Sequence, residues 1–303
     1  MPTPASVLIL MPMPAHAEGI VQAIRARAPE LPLLVWQREL SDAQLAPVQV
    51  MLAWRFPAGL AERLPQLRWV CASAAGVDKL LVPELPASVP ISRIVDPDQA
   101  LGIAQYVATV LLAHVRQLPR YLEQQAQRQW TRHPMSAARQ RVGVLGYGEV
   151  GQQIGRVLEA LGFAVQGWRR SGPPLHDFLR GCDVVVNALP LTPQTQDLIN
   201  AEAIAAMPRG AYVINIARGG HVVEADLIAA LQSGHLGGAA LDVQAIEPMT
   251  EDDPLWATPG LLVTPHIAGQ SSFDVVAEQF LAGLQALESG QALPHLVDRQ
   301  RGY

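Results

Sequence analysis

RVGVLGYGEVGQQIGRVLEALG, residues 141–162, is the stretch whose reading decides the fold. Its first five residues are an apolar, strand-like run, and Gly146-Tyr147-Gly148-Glu149-Val150-Gly151 follows directly. From Val150 the pattern becomes helical and stops at Gly162. With 24 glycines in the chain, a G-x-G-x-x-G spacing could be accidental. Its place between a strand and a helix is what makes it a dinucleotide-binding signal rather than a structural glycine turn. Gly146 suits the tight turn, Gly148 lets backbone approach a pyrophosphate, and Gly151 lets helix and strand pack closely. The helix N-terminus, with Glu149 and Val150 at its start, then faces the phosphates. Glu149 sets a negative charge beside them, and it and Tyr147 are larger and more polar than such a loop usually carries.

The next strand, FAVQGW, ends in Trp168-Arg169-Arg170-Ser171. An NAD site usually places an acid about 20 residues past the glycines, to bind the ribose 2′-hydroxyl. Here 169 − 151 = 18 puts Arg169 in that window, and no acid occurs until Asp177. Two guanidiniums and a hydroxyl suit a 2′-phosphate, which Arg grips with two parallel bonds. The pair favours NADPH over NAD; a solvated arginine pair on a surface turn is the alternative.

Downstream, CDVVVNAL, AYVINIA, GGAALDV and LLVTPHI complete a set of six strands, with helical segments between most of them. Arg218 follows AYVINIA, Glu247 comes shortly after GGAALDV, and His266 lies at the end of LLVTPHI. Ligand groups collect at strand ends of open α/β sheets. An Arg to clamp a carboxylate, a His to donate a proton to a carbonyl oxygen and a Glu to orient that His suit reduction of a 2-oxo acid. Singly, each could be a cap, a turn or a packing residue; together at consecutive strand ends they form a catalytic set.

Upstream, SVLILM, LPLLVW, VQVMLAW and LRWVCAS are continuous apolar runs alternating with helical or proline-broken pieces, which predicts a second doubly wound parallel sheet. Asp96-Pro97-Asp98 marks a boundary, with Asp98 placed to cap a charge-free helix over Gln99–Val115. Arg116–Gln140 is a polar connecting segment, and SSFDVVAEQFLAGLQALESG is a terminal amphipathic helix. The expected domains are residues 1–97, residues 98–270 and a C-terminal segment, 271–303.

The 303 residues are 50% hydrophobic and 16% charged, and 22 − 27 gives a net charge of −5. No basic block is present, which argues against nucleic-acid or anionic-lipid binding. Cys71 and Cys182, the two cysteines, sit in apolar runs, and no ligand spacing for a metal occurs. The N-terminal apolar run lacks a basic flank and is broken by Pro12 and Pro14, so a buried strand and a cytoplasmic protein are expected.

GYGEVG, LPLTPQT at 189–195, NIARGGHVVE at 215–224, LDVQAIEP at 241–248, TPHIA at 264–268 and VDRQRGY at 297–303 together resemble the D-isomer-specific 2-hydroxyacid dehydrogenases, over nearly the whole chain. The resemblance implies a Rossmann domain and a discontinuous flavodoxin-like substrate domain to which the C-terminal helix returns. It implies that Arg218 binds substrate carboxylate and carbonyl, that Glu247 supports His266, and that His266 is the acid–base. It adds cofactor contacts at Leu189, Pro190, Thr195, Ile216, Ala217 and Ala268, and a nicotinamide carboxamide contact at Asp242. Substrate contacts come from backbone N–H groups at Ala75 and Gly76. Trp54, ending VQVMLAW, is either a wall of the substrate pocket or a core tryptophan. A homodimer joined through the long helix is also implied. The expected function is NADPH-dependent reduction of small 2-oxo acids. An NAD-dependent enzyme for a bulkier 2-hydroxy acid and a dinucleotide-sensing co-repressor are the competing readings, the latter lacking here the extra binding segments that such proteins carry.

Overall fold

Continuous apolar runs form the strands because each sheet is covered on both faces. In the first strand, Leu8 and Leu10 enter one buried cluster while Val7 and Ile9 enter another. The computed structural model describes residues 6–37, 39–96, 98–134 and 140–299. The chain divides into two units, Met1–Pro97 with Gln270–Tyr303, and Asp98–Gly269. Pro97 and the last four residues of VDRQRGY lie outside the described residues.

The first unit contains β1 (Ser6–Leu10), α1 (Pro14–Arg25), β2 (Leu33–Val35), α2 (Asp42–Leu45), β3 (Val48–Ala53), β4 (Trp69–Ala72) and β5 (Ile91–Ser92). All strand pairs are parallel, in the order β2-β1-β3-β4-β5, which is the flavodoxin order. Leu8 pairs with Met51, and Val50 with Trp69. The two-residue β5 has no counterpart among the expected strands, being too short to show a pattern.

The second unit begins with α3 (Gln99–Val115) and α4 (Leu118–Ala126). It continues with β6 (Arg141–Leu145), α5 (Glu149–Ala160), β7 (Ala164–Trp168), α6 (Leu175–Leu179), β8 (Val184–Asn187), α7 (Ala201–Ala206), β9 (Ala211–Asn215), α8 (Glu224–Gln232), β10 (Leu236–Leu241) and β11 (Leu261–Val263). The six strands are parallel, in the order β11-β10-β9-β8-β6-β7. The chain therefore reverses direction across the sheet between β6 and β8, and the crevice outside their carboxyl ends is where such a sheet binds ligands. Ala104, Val107 and Leu111 of α3 pack with Ile154 and Leu158 of α5 over one face of the sheet.

A last helix, α9 (Phe273–Glu288), belongs to the first unit, where Val276, Phe280 and Leu284 pack with Ile20 and Ile24 of α1. Ser272 caps it by accepting from the Val275 amide at 3.2 Å. The Phe280 ring stacks on Trp69 at 5.5 Å. Arg299, further on, donates to the carbonyls of Leu85, Pro86 and Val89.

Two expectations need correction. Asp98 occupies the N-cap position of α3 but has helical backbone angles, φ −84° and ψ −15°, and its side chain makes no cap bond. An N-cap that reaches back to the helix amides needs an extended backbone. The segment Arg116–Gln140, expected to be a connection, contains α4, and Tyr121 and Gln124 of that helix bind His133 as the chain returns. Its polar composition hides it, since Gln124 is its only buried residue. Residues 135–139 of that segment lie outside the described residues. Both cysteines are free and buried, and burial pushes the Cys71 thiol up to about 12 and that of Cys182 to about 11.

Candidate active site

The glycine loop after β6 has the backbone its sequence requires. Gly146 has φ +89°, and a Cβ there would lie 2.6 Å from the Ala188 carbonyl oxygen, so the turns after β6 and β8 meet only through a residue without a side chain. A Cβ on Gly151 would lie 2.2 Å from the Gly146 oxygen, whereas one on Gly148 would meet nothing within 4 Å. The Gly148 face of the loop is open. Tyr147 lies across Gly155 and Gly167, where any side chain would collide with its ring. The bulky residue is thus accommodated by two glycines outside the motif.

Beside this loop is a cavity of about 370 Å³. It is lined by Gly146 and Gly148 after β6, Arg169 and Arg170 after β7, and Leu189 and Pro190 after β8. Tyr147, Trp168 and Thr195 also line it. Arg169 donates from Nη2 to the Tyr147 carbonyl at 2.7 Å, tying the arginine turn to the glycine loop. The indole N–H of Trp168 donates to the Pro173 carbonyl at 2.9 Å. Thr195 turns its hydroxyl inward, donating to the Pro190 carbonyl at 2.7 Å, so it shapes the loop wall. Ser171 and Glu149 are exposed, and Val150 is half-buried in the first turn of α5.

Two buried asparagines end β8 and β9 as registered neighbours. Asn187 Nδ2 donates to Asn215 Oδ1 at 3.0 Å, and Asn187 Oδ1 accepts from the Leu189 amide. Asn215 in turn accepts from the Ala217 amide and donates to the Arg218 carbonyl at 2.9 Å. One side-chain pair therefore sets the turn toward Leu189 and the turn through Ile216 and Ala217 to Arg218. Neither asparagine is among the residues that the sequence singles out; the signal that could have found them is a polar residue closing an otherwise apolar strand.

Arg218 is half-buried, and its Nη1 donates to the Ala217 carbonyl at 2.6 Å. Gly219 follows, where a Cβ would lie 2.0 Å from the Gln244 carbonyl carbon; the turns after β9 and β10 touch backbone to backbone. Gln244 donates from its amide N–H to Glu247 Oε1 at 3.2 Å and from Nε2 to the Thr264 carbonyl at 3.3 Å. His266 then meets Glu247, with Nδ1 at 3.2 Å from Oε2 and 3.3 Å from Oε1. Side-chain exposures of 27% and 17% leave the pair reachable but shielded. The structure thus joins the turns bearing Arg218, Glu247 and His266 through consecutive contacts.

Asp242 follows directly on β10. Its carboxylate is buried and accepts from the Thr264 hydroxyl and from the amides of Ile267 and Ala268. It thereby ties the end of β10 to the His266 turn, and Ala268 is buried beside it. In the first unit, Trp54 is half-buried just past β3, with the Lys79 ammonium 5.3 Å from its ring centroid. Ala75 and Gly76 are half-buried in the turn that follows β4.

Residues 108–268 match the family model for the D-isomer specific 2-hydroxyacid dehydrogenase, NAD binding domain. The chain belongs to the D-isomer specific 2-hydroxyacid dehydrogenases. This dehydrogenase is 33% identical over 307 residues to glyoxylate/hydroxypyruvate reductase A of Yersinia enterocolitica, covering 95% of this chain and 97% of that one. Among solved structures, a D-isomer specific 2-hydroxyacid dehydrogenase from Xanthobacter autotrophicus in complex with NADPH and MES superimposes with a TM-score of 0.81 at 36% identity, over 99% of this chain and all of that one. The NADPH-dependent glyoxylate/hydroxypyruvate reductase of Sinorhizobium meliloti, in complex with NADP and sulfate, gives 0.86 at 32% identity, over 99% and 100% of the two chains.

The dehydrogenase's own loop fits a dinucleotide. Space is open where a Cβ of Gly148 would stand, the N-terminus of α5 faces it, and two arginines line the cavity beyond. Among the described residues, no helix is long and apolar enough to cross a membrane.

Proposed function

We propose that this enzyme reduces small 2-oxo acids, glyoxylate and hydroxypyruvate among them, with NADPH. The observation that carries the chemistry is the Glu247–His266 pair at 3.2 Å, one turn-to-turn contact away from Arg218. The carboxylate faces Nδ1, which leaves Nε2 as the nitrogen for substrate. Arg218 receives the substrate carboxylate and polarises the carbonyl. His266 gives a proton to the carbonyl oxygen, and Glu247 holds the imidazole in place while the proton leaves. When bound, NADPH would supply the hydride that reaches the carbonyl carbon. Ala75 and Gly76 offer backbone amides to the substrate, and Trp54 a wall to its pocket. Gly146, Gly148, Val150 and Gly151 hold the pyrophosphate.

Arg169, Arg170 and Ser171 receive the 2′-phosphate; the first two line the cavity that also takes in the glycine loop. The relatives that carry NADPH or NADP in their crystals support the same choice. The test is steady-state turnover of a 2-oxo-acid panel with NADPH and NADH, in the parent and in an Arg169→Asp, Arg170→Ala variant. The parent should prefer NADPH and the variant should lose that preference, at about 1.5–3 kcal/mol per lost Arg–phosphate contact. Equal turnover of the two cofactors by the parent would overturn the assignment.

A second copy of the chain is the proposed partner, docking on α3 and α4. Leu101 and Leu112 of α3 are 40% and 36% exposed, and Leu122 of α4 is 65% exposed. Sedimentation equilibrium decides between a dimer and a monomer. The proposed location is the cytoplasm.

A further inference from the structure

The turn that carries His266 is gripped by α3 at both ends. Gln99 donates from Nε2 to the Gly269 carbonyl at 2.8 Å, and Tyr106 Oη lies 2.7 Å from Thr264 Oγ1. These two side chains are seven residues apart, so they stand on one face of the helix, about 10 Å from each other along its axis. Thr264 donates its own hydroxyl proton to Asp242 Oδ1 at 2.6 Å, which makes Tyr106 the donor in the bond between the two hydroxyls. Asp242 then accepts from the Ile267 and Ala268 amides, both at 2.8 Å, and its carbonyl takes the N–H of His266, also at 2.8 Å.

His266 needs such a hold. Its φ is +55°, in the left-handed region that residues other than glycine seldom enter. Its N–H is shared between the carbonyls of Asp242 and Thr264, at 2.8 and 3.0 Å, and one of the bond chains that orient Asp242 begins on α3, at Tyr106. Burial pushes the Tyr106 phenol up to about 12, so it remains a donor throughout the neutral range.

We propose that Gln99 and Tyr106 are positioning residues for His266, Tyr106 acting through Thr264 and Asp242 and Gln99 through Gly269. The proposal rests on His266 being the proton donor. A helix far from the reacting atoms in sequence would then govern how well the imidazole is aimed, and a misplacement of about 1 Å can cost a hundredfold in rate.

The experiment compares Tyr106→Phe, Gln99→Met and the double variant with the parent and with His266→Ala. Three quantities are read: kcat for glyoxylate with NADPH, the solvent deuterium isotope effect on kcat, and hydrogen exchange of the 264–269 peptide in ligand-free protein. Each single variant should lower kcat about tenfold and the pair about a hundredfold. The isotope effect should rise as proton transfer becomes more limiting, and the peptide should exchange faster. A kcat within twofold of the parent with unchanged exchange overturns the proposal. So does a fall in kcat with an unchanged isotope effect, which a smaller folded fraction would give. Should Tyr106→Phe not fold, Thr264→Ser must retain far more kcat than Thr264→Val, since only serine keeps the oxygen; equal values overturn the chain of bonds. A His266→Ala variant within tenfold of the parent removes His266 from the chemistry, while the exchange data still report separately whether α3 holds the turn.

Discussion

A guanidinium at position 218 can meet a carboxylate with two parallel bonds, whereas an ammonium meets it as a point charge. Arg218→Lys should therefore lower kcat/KM for glyoxylate by two orders of magnitude or more, about 2.7 kcal/mol, with NADPH affinity nearly unchanged. Near-normal kinetics in this variant would show that Arg218 is not the clamp. At position 266 the backbone and the side chain make separate demands. Asparagine tolerates the left-handed region that His266 occupies, with φ +55°. His266→Asn should thus keep its melting temperature while losing about 10²–10⁴-fold in kcat, the usual worth of a proton-transfer group. A variant that melts early would mean that the imidazole holds the turn instead of being held by it.

Between single residues and the sheet stand the turns, and here the asparagine pair ties two of them together. Replacing Asn187 with Leu strands the Leu189 amide and leaves Asn215 Oδ1 with the Ala217 amide alone, in a fully buried place. An unmet buried partner costs about 1–3 kcal/mol, so Asn187→Leu should shift the urea midpoint downward by a corresponding amount. It should also raise KM for cofactor and substrate together, because both turns depend on the pair. A change confined to one of them would contradict that coupling. The six strand runs of the second unit, the long helix Gln99–Val115 and the placing of Arg218, Glu247 and His266 at strand ends were all legible, because continuous apolar runs and glycine punctuation are local signals. What was not legible is pairwise and distant. Tyr106 and Thr264 stand 158 positions apart, and Gln99 and Gly269 stand 170 apart. No periodicity connects such residues. Asp242 shows the same limit: only the folded turn reveals that its oxygens accept from Thr264, Ile267 and Ala268.

For the molecule as a whole, acid stability has an identifiable contributor. His114 on α3 stacks on Tyr212 of β9, with ring centroids 3.9 Å apart, and burial holds its pKa below the ordinary histidine value. The unfolded chain then binds a proton that the folded one refuses, starting near pH ~6.5. Stability from this site is complete above that pH and declines as pH falls toward the depressed folded value. His114→Phe keeps a stacking ring but cannot be protonated, so its melting temperature should drop less than the parent's between about pH 7.5 and pH 5.5. Equal drops would assign the acid sensitivity to other groups.

The return of α9 to the first unit also has a consequence in time. Trp69, Ile20 and Ile24 share their buried cluster with Phe280 and Leu284, yet about 175 residues are synthesised between Pro97 and the start of that helix. At roughly 5–20 residues per second, the ribosome needs about 9–35 s to deliver it. For that interval the nascent sheet carries an uncovered apolar face, while the whole of Asp98–Gly269 has emerged and can fold. The half of the enzyme made first is the half finished last, and its yield in a cell should depend on chaperones that occupy that face until the final helix arrives.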